Sequence, residues 1–351
     1  DKNGYEQACP HDYNKDFALV DTWVERFVVA TQPDKVDQSM CFASPSERLK
    51  FFTRLANEIT KRGVVDVLRK GYKFNGSTFD LYYPLPSDLN PSAKKAYGQN
   101  IFGVIRQVMY SKANTNEIDF VVFVNGLPLA TFELKNNFTG QSYENAIKQY
   151  QTDRDPKELL LQKKRCAVHF ALDDQQVWMC TALAGKDSWF LPFNRGVNGG
   201  AGNPVVENDT MTSYLWKDIL TKPTLSNIIE NFAQVVVNEV KDKKTGKART
   251  IEKVIWPRYH QLDAVRMLVK RTQRCGIGKR FLIQHSAGSG KSNTITWLAY
   301  QLVMLLKNQE PLFDSVIVVT DRVNLDRQIR DNINAFRRLS NIVGWADKSE
   351  T

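Results

Sequence analysis

At 351 residues the chain is long enough for two domains of roughly 100–200 residues each. Hydrophobic residues make up 42% and charged residues 25%, and no apolar run approaches a membrane span, which excludes disordered and membrane-spanning classes. Lys and Arg number 48 against 38 Asp and Glu, a net charge of +10 that suits a polyanion such as nucleic acid and equally an ordinary basic cytoplasmic protein.

In chain order, "SPSERLKFFTRLANEITKRG" predicts a helix. Ser44 is placed as N-cap, Pro45 at the first helical position and Glu47 closing a capping box, with Leu49, Phe52, Leu55 and Ile59 at helical spacing. "NIFGVIRQVMYS" reads as a second apolar-faced helix. "NEIDFVVFVNGLPLATFELKN" is a hairpin about Asn125-Gly126, the dipeptide that best accepts positive φ at both centres of a type I′ turn. The helix "SYENAIKQYQT" follows, then a strand pair, "RCAVHFALD" and "QVWMCTAL". "NRGVNGGAGNP" lacks G-K-[ST] and reads as a surface or docking loop. "SNIIENFAQVVVNEV" reads as helical and "KDKKTGKARTIEK" as a basic linker. The pattern then changes to strand, loop, helix and strand: "KRFLIQH", "SAGSGKS", "NTITWLAYQLVMLL", "SVIVVTD". The expected divisions are 1–225, a helix and linker over 226–253, and 254–351. The five cysteines form no C-x-x-C pair and the four histidines no H-E-x-x-H, which argues against a disulfide framework or a zinc site.

The hairpin carries chemistry. Asp119 and Glu133 sit about equally far from the turn, and Lys135 shares a strand face with Glu133. Two converging carboxylates bind Mg²⁺, which polarises a phosphodiester and acidifies a bound water. A Lys ammonium beside them orients that water or stabilises developing charge. Glu133 follows Leu127, Leu129 and Thr131 in an apolar strand, where a charge is costly unless used or paired. The alternative is an exposed edge strand with a surface ion pair. A second E-x-K, Glu239-Val240-Lys241, is assigned to a solvated helix end. Gln149, on the next helix, either faces the same site or is an ordinary surface residue.

"HSAGSGKS" holds G-x-G-K-[ST] between a predicted strand and helix. Gly288, Ser289 and Gly290 let backbone N–H groups converge on phosphates, Lys291 reaches the β- and γ-phosphates, and the Ser292 hydroxyl suits Mg²⁺. His285 stands where the full pattern has Gly. Nothing after Thr320 supplies the acidic D-E-x-[HD] strand that hydrolysis needs, so the expectation is ATP binding without turnover by this stretch alone.

Taken together, "NEIDFVVFVNGLPLATFELKN", "FLPFNRG", "GAGNP", "SYLW", "RYHQLDAV" and "HSAGSGKS", in this order, resemble the restriction subunit of Type I restriction–modification enzymes over nearly the whole chain. The resemblance implies an α/β PD-(D/E)xK endonuclease domain followed by the first part of a RecA-like P-loop lobe of superfamily 2. It places Asp119, Glu133 and Lys135 on the nuclease triad and Gln149 on the Gln of the following helix motif. That motif commonly carries an aromatic four residues on, where this chain has Asp153. Gln261 falls on the adenine-reading Gln, Lys291 and Ser292 on Walker A, and Asp321, Arg322 and Gln328 on the next helicase motif. Mg²⁺ and ATP are the implied cofactors. Double-stranded DNA and the modification and specificity subunits are the implied partners, in the cytoplasm and without a membrane. Two other readings stay open: another nuclease–helicase fusion in DNA repair, and a P-loop NTPase with a non-catalytic DNA-binding domain.

Overall fold

The computed structural model describes residues 3–86, 90–241, 248–307, 310–320 and 329. The chain divides into two units, Asp1–Trp256 and Pro257–Thr351.

In the first unit the elements run β1 (Glu6–Ala8), α1 (Asp21–Thr31), α2 (Pro33–Ser39), α3 (Pro45–Arg62), α4 (Val64–Lys70), β2 (Tyr72–Phe74), β3 (Ser77–Phe79), α5 (Pro91–Gly98) and β4 (Phe102–Met109). They continue with β5 (Glu117–Val124), β6 (Leu127–Leu134), α6 (Tyr143–Thr152), β7 (Val168–Leu172), β8 (Val177–Cys180), β9 (Leu191–Pro192), α7 (Lys222–Asn231), β10 (Gln234–Lys241) and β11 (Ala248–Ile255). Seven strands form one mixed sheet in the order β1-β4-β5-β6-β7-β8-β9. β6 is the middle strand. It lies antiparallel to β5 and parallel to β7, and α6 makes the crossover that a parallel pair requires.

The β5–β6 turn is type I′, with φ of 49° at Asn125 and 82° at Gly126. It is buried beneath the start of α1. Asn125 Oδ1 accepts from Ile101 N at 2.6 Å, while Nδ2 donates to Leu81 O and Asn100 Oδ1, each at 2.9 Å. A Cβ on Gly126 would stand 2.3 Å from Val20 O, so no other residue fits. At α3 the Ser44 hydroxyl accepts from Glu47 N at 3.2 Å, but the Glu47 carboxylate pairs with Lys50 instead of closing a capping box. Leu49 is exposed, and Phe51 joins Phe52, Leu55 and Ile59 on the buried face.

Several local readings are corrected. "NIFGVIRQVMYS" is the strand β4, not a helix. Arg106 pairs with Phe120 and Val108 with Ile118 in one unbroken register, and the ladder is interrupted only at Gln107, whose φ is 52°. Buried Phe102, Ile105 and Val108 fall three apart, imitating a helical period. After α7 the chain forms β10, paired antiparallel with β11, so the helical reading fails over 234–240 and the linker reading over 248–253. The β-branched run Val235–Val237 favours the strand. Glu239-Val240-Lys241 therefore lies on a strand. "NRGVNGGAGNP" is a docked loop: Asn203 accepts from Arg195 N and donates to Gln175 O and Asn194 Oδ1.

The second unit holds α8 (Tyr259–Cys275) and α9 (Lys291–Val303), which pack together through buried Leu262, Val265, Trp297 and Tyr300. A short pair, β12 (Leu306–Lys307) and β13 (Glu310–Pro311), follows. "KRFLIQH" and the described part of "SVIVVTD" are not strands. Neither joins a ladder, Leu282 is 93% exposed and Val319 87%, and a strand without a paired neighbour leaves its backbone groups to water. Asp321, Arg322 and Gln328 lie outside the described residues. Among the described residues no helix is long and apolar enough to cross a membrane.

Candidate active site

The end of the middle strand brings the predicted acidic residues together. Phe120 pairs with Phe132, so Asp119 and Glu133 stand one step further along the same ladder. Asp119 is close enough for its charge to act on the Glu133 carboxyl. Glu133 is 0% exposed, which rules out the edge-strand alternative. Its Oε1 accepts from Arg154 Nε at 2.7 Å, and its Oε2 is buried with no hydrogen-bond partner. Burial pushes the Glu133 carboxyl up to about 8. Arg154 works against that rise and the neighbouring Asp119 adds to it. Asp119 Oδ2 accepts from Leu134 N at 2.7 Å, which ties the two strand ends together.

Lys135 and Gln149 meet in one open groove, lined also by Gln141, Asn145, Lys148 and Asp153. Lys135 leaves the strand with its N–H bonded to Leu172 O at 2.9 Å, so its backbone is anchored while the side chain is half-buried. Gln149 Oε1 is buried without a partner. Asp119 lines a separate groove with Arg106, Gln107 and Leu134. The interrupted ladder position at Gln107 thus lies beside Asp119.

Four residues that the sequence did not mark support the site. Arg154 holds Glu133. Beneath them, Thr131 Oγ1 bonds Tyr150 OH at 2.8 Å and His169 Nδ1 at 2.7 Å, all buried. Burial lowers the His169 imidazole to about 3, so it is neutral. This cluster pins α6, which carries Gln149, onto β6 and β7. In sequence Tyr150 and Thr131 read only as core positions, and Arg154 sits in the polar run "TDRDP", which looks solvated.

The donor set suits a hard divalent cation. Two adjacent carboxylates, one with an unsatisfied buried oxygen, match the oxygen-ligand preference of Mg²⁺. Among the described residues, Cys9, His11 and Asp12 also bring donor atoms within 4.8 Å at the surface, but Asp12 Oδ2 there accepts from Cys9 N. All five cysteines are free.

In the second unit Gly290, at φ 81°, opens α9, and Lys291 Nζ spans the preceding loop to His285 O at 3.2 Å and Ser286 O at 2.9 Å. Gln261 is buried against this loop. Its Nε2 donates to Ser289 O and Gly290 O at 3.1 and 3.0 Å, and its Oε1 accepts from Arg258 N. Ser292 follows Lys291 in the first turn of α9.

The first unit is thus a mixed α/β domain with a carboxylate pair at the ends of two adjacent strands, and the second carries a Gly-Lys loop ahead of a helix. Residues 43–188 match the family of the type I restriction enzyme R protein N terminus, and residues 260–348 match the SWI2/SNF2 ATPase family. Over residues 43–188 the chain is thus similar to the N-terminal domain of type I restriction enzyme R proteins. It is 27% identical over 247 residues to the "Putative type I restriction enzyme MjaVIIIP endonuclease subunit" of Methanocaldococcus jannaschii, covering 68% of this chain and 22% of that protein. It is 26% identical over 252 residues to the type I restriction enzyme HindI endonuclease subunit of Haemophilus influenzae, covering 69% of this chain and 22% of that protein. The chain thus spans about a fifth of the length of these relatives.

Proposed function

We propose that this chain is the nuclease-bearing part of a DNA-cleaving, ATP-driven restriction subunit, with a PD-(D/E)xK domain leading into the first RecA-like lobe of a superfamily 2 translocase. The observation that carries it is the pair Asp119 and Glu133 on adjacent strands, with Glu133 Oε2 buried and unpartnered. Asp119 and Glu133 are the residues to hold Mg²⁺. When bound, the ion supplies Lewis-acid polarisation of the phosphodiester and a more acidic water. Lys135, anchored at the strand end, orients that water or balances charge developing on the phosphate. Gln149 offers its amide to the same groove. The +10 net charge supports double-stranded DNA as the substrate.

In the second unit the N–H groups of Gly288, Ser289 and Gly290 and the Lys291 ammonium take the ATP phosphates, with Ser292 on its Mg²⁺. Gln261, held against the loop, links adenine recognition to loop shape. The relatives are named as subunits, which supports assembly into a larger restriction complex; modification and specificity subunits in the cytoplasm are the partners this reading takes. The test is cleavage by the assembled full-length complex. Glu133→Gln and Lys135→Ala each remove Mg²⁺-dependent cutting and leave ATPase turnover in place. Persistent cutting in either variant would refute the assignment.

A further inference from the structure

We propose that Arg154 is a positioning residue for Glu133, fixing which carboxylate oxygen is presented to the divalent cation. The inference rests on the metal-nuclease reading above. Arg154 follows Asp153, the C-cap of α6, and is itself buried, at 6% exposed. Its Nε donates to Glu133 Oε1 at 2.7 Å and a terminal nitrogen donates to Glu117 O at 2.6 Å. One planar guanidinium therefore joins the end of β6 to the start of β5. The turn that carries it is held separately, since Asn116 Nδ2 donates to Asp153 O at 3.1 Å. The guanidinium also lies 5.9 Å from the centroid of the Tyr110 ring.

The geometric consequence is specific. With Oε1 occupied, Oε2 is the oxygen left without a partner, and the carboxylate plane cannot rotate without breaking the Arg154 bond. Mg²⁺ demands near-ideal octahedral geometry and punishes a misplaced ligand, whereas Ca²⁺ accepts irregular shells. Partners that orient a metal-ligating group are typically worth 10–100-fold in affinity, roughly, when removed. A competing role is simple charge compensation of a buried carboxylate. That role needs only a cation, so Lys would serve as well as Arg. Positioning needs the fork, because an ammonium is a point charge that does not reproduce the bridge to Glu117 O.

The experiment is calorimetric titration of the full chain with Mg²⁺ and, separately, Ca²⁺, in wild type, Arg154→Lys and Glu133→Gln, each with a melting curve. Positioning predicts that Arg154→Lys weakens Mg²⁺ by roughly tenfold or more and Ca²⁺ by much less, so the preference for Mg²⁺ narrows. Wild-type Mg²⁺ affinity in Arg154→Lys overturns the proposal in favour of charge compensation. Equal weakening of both ions together with a lowered Tm overturns it in favour of a purely structural role. If wild type shows no Mg²⁺ binding that Glu133→Gln removes, the nuclease reading itself falls, and this inference with it. Should Arg154→Lys not fold, Asn116→Ala carries the test by loosening the same turn: a narrowed Mg²⁺ preference supports positioning, and an unchanged one overturns it.

Discussion

Glu133 stands opposite Asp119 because the two strands are out of step by one residue. Asp119 is six residues before Asn125 and Glu133 is seven after Gly126, so a regular two-residue hairpin would set Asp119 against Phe132 and turn Glu133 to the other face. The register shifts between Val122 and Phe123: Phe123 pairs with Pro128, but Val122 pairs with Ala130, leaving Leu129 as the extra residue. Pro128 has no N–H to give a ladder, which makes this the natural place for the irregularity. The bulge is what puts both carboxylates on one face.

The buried turn that starts this register is expected to be intolerant of change. Gly126→Ala forces a positive φ on a residue with Cβ and drives that Cβ against Val20 O, costing about 3 kcal/mol or more. Asn125→Ala leaves Ile101 N–H and Leu81 C=O short of a partner, at about 2–4 kcal/mol. Urea unfolding of the chain measures both. A loss under about 1 kcal/mol in either would contradict the packing described.

The polar cluster beneath the site should behave as a unit. Thr131→Val strands the Tyr150 hydroxyl and His169 Nδ1 and costs about 1–3 kcal/mol. Tyr150→Phe in that background should cost less than it does alone. A double-mutant cycle with no coupling between the two would show that the hydrogen bond contributes nothing.

Glu133 sets a pH signature. Its folded carboxyl is raised from 4.5 to about 8, so the folded state binds the proton more tightly than the unfolded one. Its contribution to stability is full below pH 4.5 and is lost as pH rises through about 8. Melting curves of the metal-free chain should therefore fall across that window, and Glu133→Gln should flatten the slope. Added Mg²⁺ at the alkaline end should restore the wild type alone. An identical slope in the variant would remove Glu133 as the source.

The phosphate loop invites a steric test. A Cβ on Gly290 would lie 2.4 Å from Gln261 Nε2, at φ 81°. Gly290→Ala should displace Gln261 and weaken a fluorescent ATP analogue by roughly tenfold. Lys291→Ala should weaken it similarly and, in the assembled complex, stop translocation and with it cutting. Unaltered nucleotide affinity in both would argue against an ATP site.

Local chemistry was enough to read the elements whose cause is local. Asn125-Gly126 announces its turn, Ser44-Pro45 its helix start, and Gly288 to Lys291 its loop, because positive φ, capping and backbone exposure are properties of one or two residues. The acidic hairpin and its Lys were visible for the same reason. β4 was not, since its buried Phe102, Ile105 and Val108 fall at helical spacing. Nor was β11, whose polar strand is recognised only through its pairing with β10.

By itself, then, the sequence determined which residues could do chemistry and the turn that brings them near. Tertiary structure decided whether they meet. It supplied the Leu129 bulge that faces Glu133 toward Asp119, the burial that raises the Glu133 carboxyl, and Arg154, 21 positions away, that holds it. Each depends on contacts between segments remote along the chain, and no local pattern of residues encodes a partner that folding alone brings within reach.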